Sequence, residues 1–123
     1  MSQTKLLNWF EIPTEDLDRA SKFYSEVFDL ELQPVDWPDM RMAFFPADQS
    51  ITGGALVETE QHKPGGDGAL VYFGANGKLD QTLEKIGKAG GQVILPRTSI
   101  GEHGFIAQFV DTEGNRVALH SPN

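Results

Sequence analysis

The feature that most constrains the fold is an order of predicted elements that occurs twice along the chain. A strand-like run, "NWFEIP", precedes an amphipathic helical run and three further strand-like runs, and the same order begins again at "ALVYFGA". Leu17 in the first helical run matches Leu79 in the second, and Ala43 matches Ala107. The pattern therefore predicts two tandem βαβββ modules, which a duplicated unit of about fifty residues explains most simply.

The two modules are predicted to form one domain that covers residues 1–123. Module one spans about 5–59, a linker about 60–68, and module two about 69–121. The segment "TEQHKPGGDG" combines proline, glycines and charges, which is typical of a surface connection. Its "PGGDG" lacks the Gly-Lys-Ser/Thr ending of a phosphate-binding loop, so we predict a linker and not a phosphate site.

The first helical run, "TEDLDRASKFYSEVFD", carries clear signals at both ends. Thr14 or Asp16 is predicted as its N-cap, because a short side-chain oxygen can accept a free backbone N–H there. Asp29 is predicted to end the helix, since aspartate tolerates the left-handed conformation that helix ends often require. The second helical run is predicted to end at the Gly90–Gly91 pair.

One helix for every four strands covers only one face of each small sheet, so the pattern predicts an α+β fold with one uncovered face per sheet. Alternation along the strands assigns to the face beneath the helices Phe10, Ile12, Phe105, Phe109, Val117 and Leu119. The opposite face carries Trp9, Glu11, Met42, Phe44, Ile106, Gln108, Ala118 and His120. This mixture suits a small-molecule cavity and equally a subunit interface, and periodicity alone leaves both open.

Composition excludes several classes of function. Without cysteine, the chain has neither thiol catalysis nor a cysteine-based zinc site. Its formal net charge of -8, with no cluster of Lys and Arg, argues against nucleic acid as a partner. No run approaches the roughly 18 apolar residues of a membrane span, and the N-terminal sequence lacks a signal-peptide core. We therefore expect a cytoplasmic protein with no membrane partner.

Two motifs stand out beside the duplicated order, "DLDRASKFYSEVF" in the first helical run and "VDTEGNRVALHS" at the last strand. With them the chain resembles the vicinal oxygen chelate superfamily, which contains glyoxalase I, extradiol dioxygenases, fosfomycin-resistance enzymes and bleomycin-resistance proteins. The runs "NWFEIP" and "LHS" are most similar to a glyoxalase-related branch. The resemblance covers nearly the whole chain and implies the glyoxalase/bleomycin-resistance/dioxygenase fold. In that fold two tandem βαβββ modules form a curved, cup-shaped sheet, which a second subunit often completes.

The same resemblance implies a divalent metal in the catalytic members, held by His and Glu from the first and last strands of each module. The matching positions in this chain are Trp9, Ala55 or Leu56, Leu70 or Val71, and Ala118. None of these side chains is a metal ligand. We therefore predict no metal and no cofactor, and a Zn, Ni, Mn or Fe ion would need a displaced site.

Glu11 and His120 are the remaining candidates for catalysis, because each lies two residues beyond an emptied position and hence on the same strand face. Together they would act as an acid–base pair, or would hold a metal with help from another group. In the alternative, Glu11 is hydrogen-bonded to backbone and His120 is solvated at the chain end. The predicted ligand-binding residues are Trp9, Met42, Phe44, Ile106 and Gln108.

Two functions follow from the resemblance and from these residues. The first is a small-molecule binder without the usual metal site, resembling bleomycin-resistance proteins, whose acidic character suits cationic ligands. The second is a metal-dependent lyase, isomerase or dioxygenase-type enzyme of the glyoxalase-related branch, with a displaced site formed by Glu11 and His120. A homodimer is predicted in both cases, because a symmetric partner would cover exposed sheet edges and a half-lined cup.

Overall fold

The computed structural model describes residues 7–47 and 52–123, and the predicted start of module one lies outside these ranges. No helix within them is long and apolar enough to cross a membrane. A short 3₁₀ turn covers Gly101–His103. The helices and strands, in chain order, are β1 (Trp9–Pro13), α1 (Leu17–Phe28), β2 (Pro34–Asp36), β3 (Arg41–Phe44), β4 (Gly53–Glu58), β5 (Tyr72–Gly74), α2 (Leu79–Lys88), β6 (Gln92–Ser99), β7 (Phe105–Val110) and β8 (Arg116–Ser121).

The pairing of the strands confirms the α+β class and the duplicated order. Sheet one has the order β1-β4-β3-β2, with β1 parallel to β4 and the other pairs antiparallel. Sheet two has the order β5-β8-β7-β6 and the same pattern. Ala43 lies opposite Leu56, and Ala107 lies opposite Leu119. Because both alanines are fully buried at equivalent places, the match read from the sequence is confirmed.

The ends of α1 follow the predicted capping chemistry. Asp16 is the N-cap, and its Oδ1 accepts the backbone N–H of Arg19 at 3.1 Å. Asp29 ends the helix in the left-handed region, with φ 54°. Thr14, the other N-cap candidate, is buried and donates its hydroxyl to the Val57 carbonyl at 3.1 Å. The sequence therefore contained enough local information to place both helix ends.

The first strand-like run after the first helical run is "LELQPV", and this strand prediction was wrong for residues 30–33, because β2 begins only at Pro34. The backbone N–H of Leu30 bonds to the Ser25 carbonyl at 3.1 Å, and that of Leu32 bonds to Ser25 Oγ at 3.0 Å. These donors complete the end of α1 and are not available to a strand ladder.

Both modules contribute to one hydrophobic core. The residues that alternation assigned beneath the helices all pack in it or against it. Phe73 of β5 lies 5.7 Å from Phe10 of β1 and 4.7 Å from Phe28 of α1, measured between ring centroids. Phe23 of α1 lies 6.1 Å from Phe109 of β7. Since these pairs cross between the modules, each module buries part of its apolar surface against the other.

A buried carboxylate joins module two to the start of α1. Glu113, between β7 and β8, accepts the backbone N–H groups of Glu15 and Asp16, both at 2.9 Å. It also accepts Nε and Nη2 of Arg19, at 2.7 and 2.9 Å, and its side chain is fully buried. Burial disfavours its charged form, but Arg19 and the N–H of Asp16 outweigh that effect and lower the pKa of Glu113. Glu113, which belongs to module two, thus accepts the backbone N–H groups immediately before α1 in module one.

The same turn makes further buried contacts with module one. The Tyr24 hydroxyl donates to Asp111 Oδ2 at 2.6 Å, and Asp111 Oδ1 accepts the N–H groups of Glu113 and Asn115 at 2.8 and 2.9 Å. Asn115 Nδ2 donates to the Pro13 carbonyl at 2.8 Å. Burial, together with the Asp111 charge, raises the pKa of Tyr24 well above its usual value. The "DTEGN" turn is therefore fixed to both α1 and β1.

Candidate ligand-binding site

Each sheet has a face turned away from the helices, which we name the open face. The strand register arranges its side chains in rows that run across the sheet. One row is Glu11, Ala55 and Phe44 in sheet one, and Tyr72, Ala118 and Gln108 in sheet two. The next row is Pro13, Val57 and Met42 in sheet one, and Gly74, His120 and Ile106 in sheet two. The residues that alternation assigned to the uncovered faces lie there, and their role in binding stays a prediction.

An alanine occupies the centre of the first row in both sheets. Ala55 and Ala118 have no exposed surface, because larger side chains flank each of them. These are positions at which the resemblance implies a metal-binding carboxylate. The open faces therefore have methyl groups at their centres and larger side chains on either side.

Trp9 lies on the open face of sheet one and contacts three neighbours. Its Nε1 donates to Glu11 Oε2 at 3.2 Å, and its ring centroid is 6.1 Å from that of Phe44. Directly opposite on β4 is Gly53, where a Cβ would lie 3.0 Å from the indole ring. Glycine at this position leaves the space that the indole fills.

On the helix side of sheet one, the ring of Phe10 likewise fills the space above a glycine of β4. It pairs with Gly54, where a Cβ would lie 2.3 Å from the phenyl ring. The adjacent glycines 53 and 54 therefore accommodate two aromatic side chains of β1, one on each face of the sheet. An added methyl group at Gly54 would overlap the Phe10 ring outright.

His120 lies at the side of a hollow of about 460 Å³ on the open face of sheet two. The other lining residues are Tyr72, Gly74, Ile100 and Ile106. His120 Nε2 is 2.7 Å from the His103 carbonyl oxygen. Because a carbonyl only accepts hydrogen bonds, Nε2 is the donor and carries a proton, and in the neutral form with this bond Nδ1 is the acceptor.

The loop that bonds to His120 is held close to β8 by Gly104. Gly104 has φ +105°, and a Cβ there would lie 2.2 Å from the Ser121 carbonyl oxygen. A side chain at this position would therefore both strain the backbone and push the loop outward. Glycine brings the loop near enough for the His103 carbonyl to orient the imidazole.

The structure places Glu11 and His120 at different hollows. Glu11 lines a cleft beside the linker, whereas His120 lines the hollow on sheet two. Each also makes a contact that the sequence did not predict, since Glu11 binds an indole N–H and His120 binds a main-chain carbonyl. Their joint role as an acid–base pair stays a prediction.

Sequence reasoning missed Tyr72 and Ile100. Tyr72 is 47% exposed and pairs with Ala118, so alternation within "ALVYFGA" would have placed it on the open face once the partner strand was known. Ile100 comes from the loop before the 3₁₀ turn, and no periodic signal indicates where its side chain lies. The wall of the hollow thus depends on one strand register and one loop conformation.

Two βαβββ modules whose sheets each keep an open face define the vicinal oxygen chelate class of fold. The chain belongs to the Glyoxalase/Bleomycin resistance protein/Dioxygenase superfamily, whose family model matches residues 6–119. A glyoxylase-like domain-containing protein of Didymella fabae is 33% identical to it over 117 residues, which cover 92% of this chain and 91% of the relative.

Two further proteins show the extent of the similarity. The Mycobacterium tuberculosis protein CFP32 is 26% identical over 121 residues, which cover 94% of this chain but 45% of CFP32. This chain therefore spans less than half the length of that relative. The crystal structure of a glyoxalase/bleomycin resistance protein/dioxygenase family enzyme from Burkholderia phytofirmans has the same fold. Its TM-score is 0.71, at 19% identity, with 94% of this chain and 98% of that chain covered.

Members of this superfamily often use a divalent metal. The residues of this chain do not fit a metal at the family's positions, because Ala55 and Ala118 present only methyl groups and the Trp9 indole nitrogen only donates. Within residues 7–47 and 52–123, no group of three or more His, Asp and Glu side chains could hold an ion.

Proposed function

We propose that this chain binds a small organic molecule at the open faces of its sheets, without the superfamily's usual metal site. The observation that carries the proposal is the hollow at His120, whose apolar walls surround one oriented imidazole. Its volume of about 460 Å³ lies within the range of small-molecule sites, which are mostly apolar with a few placed polar groups. Membership of a superfamily named in part for bleomycin resistance supports the same conclusion.

The lining favours a ligand with an apolar body and a hydrogen-bond donor. Neutral His120 offers the Nδ1 lone pair, and the exposed Tyr72 ring offers a face for stacking or for a cation. Gln108 in the adjacent row adds an amide that can donate or accept. The net charge of -8 further favours a cation over an anion. We therefore propose an aromatic or aliphatic amine as the ligand class.

A screen of small amines by thermal shift tests this site. Hits are expected to raise Tm and to perturb the imidazole resonances of His120 in NMR spectra. Replacing His120 by alanine removes the acceptor and is expected to weaken binding about tenfold. Gln81→Ala, an exposed position on α2, should leave affinity unchanged. Amines that bind the His120→Ala variant as tightly as the wild type would show that the hollow is not the site.

The same preparations test the absence of the usual metal site. Elemental analysis of protein purified without a His tag is expected to find no stoichiometric nickel, zinc, manganese or iron, and these ions should not raise Tm. The proposal would be contradicted if the wild type bound one ion per chain and if Glu11→Ala and His120→Ala each lost that ion. That result would favour a metal-dependent enzyme with a displaced site. Among the residues that the structure describes, no contact favours that alternative, because Glu11 and His120 line different hollows.

We also propose that a second copy of the chain covers the open faces. Large apolar side chains are exposed there, namely Trp9, Val35, Phe44 and Tyr72, with exposed fractions from 40% to 47%. A concentration of such groups on one surface is typical of an interaction site. Within the described residues β1, β2, β5 and β6 are the edge strands of the two sheets, which gives a partner four edges to cover.

Light scattering of the purified protein at micromolar concentration is expected to give twice the mass of one chain. Replacing Phe44 by aspartate should shift the mass to that of a monomer, because the interface would bury an unpaired carboxylate. Gln81→Asp on α2 introduces the same charge outside the open faces and should leave the dimer intact. A wild type with the mass of one chain would contradict this assembly.

A further inference from the structure

We infer that the chain has a second ligand site, in the cleft between the linker and the two modules, for a small zwitterion that carries an ammonium and a carboxylate. This site, named the seam cleft, is lined by parts of residues 11–13, 62–71 and 115–117. It does not depend on the open-face site, because it shares none of the residues that line the hollow at His120.

The seam cleft is built by three segments that one buried side chain holds together. Asn115 Nδ2 donates to the Pro13 carbonyl at 2.8 Å and to Asp111 Oδ2 at 3.1 Å, while its Oδ1 accepts the Gly65 N–H at 3.1 Å. These bonds join β1, the turn before β8 and the linker. The linker, which its composition marked only as a surface connection, is thus fixed as a wall. The cleft has a volume of about 340 Å³, within the range of small-ligand sites.

Both signs of charge line the cleft in equal number. Glu11 and Asp67 are acidic, while Lys63 and Arg116 are basic. Within the described parts of the chain, no ion pair involves Glu11, Asp67 or Arg116. Lys63 pairs only with Glu60, at 3.7 Å, and both side chains are exposed, so that pair is weak. Glu11 Oε2 accepts the uncharged indole N–H of Trp9 at 3.2 Å, so the charges of these cleft-lining residues are largely uncompensated by one another.

Apolar residues also line the cleft and lie between the charged groups along the chain. Ile12 and Val117 are buried beneath the cleft, and Val71 and Ala69 add further apolar surface. A ligand with a short hydrocarbon segment between its charged ends would cover this surface. Free amino acids, short peptides and ω-amino acids share that chemistry.

The balance of charges selects a zwitterion over ions of one sign. A carboxylate alone would be attracted by Arg116 and Lys63 but would lie near two other carboxylates. An amine alone would be attracted by Glu11 and Asp67 but would lie near the two cations Lys63 and Arg116. A zwitterion satisfies both pairs at once, even though the chain as a whole carries a net charge of -8.

An NMR titration of the full chain tests the inference with three probes of the same length: ε-aminocaproate, caproate and n-hexylamine. Glycine, β-alanine and γ-aminobutyrate extend the zwitterion series to shorter spans. At least one zwitterion is expected to shift the backbone amide signals of Gly65, Gly68 and Val117 in a saturable way. The singly charged probes are expected to need about tenfold higher concentration for the same effect.

Glu11→Gln and Arg116→Gln are each expected to weaken binding of the zwitterion about fivefold, because each removes one charge from the cleft and leaves a polar side chain in its place. Glu26→Gln on α1 and His120→Ala should leave the titration unchanged, and the latter separates this site from the open-face site. Saturation by caproate or n-hexylamine as readily as by the zwitterions would overturn the inference. The inference would also be overturned if Glu11→Gln and Arg116→Gln both bound the zwitterion as tightly as the wild type, or if no probe shifted these amide signals.

Discussion

Replacing Phe109 by alanine is expected to lower the free energy of unfolding by about 3–5 kcal/mol. Phe109 is fully buried in β7 of module two, and its ring packs against Phe23 of α1 in module one. The loss therefore combines the transfer energy of a phenyl ring with a cavity at the contact between the modules. For a domain of this size the change is a large part of the total stability.

Two spectroscopic probes make this experiment a test of how the modules fold. The chain has two tryptophans, Trp9 and Trp37, and both belong to module one. In urea unfolding, tryptophan fluorescence therefore reports module one, whereas far-UV circular dichroism reports both modules. If they fold as one unit, Phe109→Ala shifts both transitions equally. A fluorescence midpoint equal to that of the wild type would show instead that module one unfolds independently. Gln81→Ala, at an exposed position on α2, is the control of small effect.

Replacing Glu113 by glutamine is expected to lower the free energy of unfolding by about 3 kcal/mol at neutral pH. The carboxylate accepts two backbone N–H groups and two guanidinium N–H groups, and an amide would present its own NH₂ group to some of these donors. The measurement is urea unfolding of both proteins at a series of pH values.

The pH dependence of this difference has a definite sign. Because the pKa of Glu113 is lowered in the folded state, its contribution is complete above the unfolded value of about 4.3 and is lost as pH falls through the folded pKa. The stability gap between wild type and Glu113→Gln should therefore narrow on acidification below about pH 4. A gap that stays constant would contradict the charged role of Glu113. Glu26→Gln, an exposed position on α1, should change stability by less than about 0.5 kcal/mol at any pH.

The elements could be predicted from the sequence because their signals are local. Asp16 and Asp29 mark the ends of α1 through interactions with their own neighbours, and alternation along β7 and β8 assigns each side chain to a face. The run before Pro34 was assigned wrongly for a related reason. Its apolar residues look strand-like, but Ser25 uses their N–H groups to finish the preceding helix.

The candidate sites could be predicted only in part, because they depend on contacts between distant segments. Parity placed His120 on the open face, but no sequence signal indicates that the His103 carbonyl fixes its tautomer. Glu113 and Asn115 belong to a motif that identified the family, yet their partners lie about a hundred residues away along the chain. Such contacts follow from the tertiary arrangement of the modules.

The fit of Trp9 against Gly53 constrains how the first strand can change during evolution. A histidine at position 9 would restore a superfamily ligand, but the smaller ring would leave part of the space above Gly53 unfilled and the Glu11 carboxylate without its indole donor. A larger residue at position 53 would collide with the indole while Trp9 is still present. The effects of substitutions at the two positions on stability are therefore coupled, and a change at either position alone is expected to cost packing between β1 and β4.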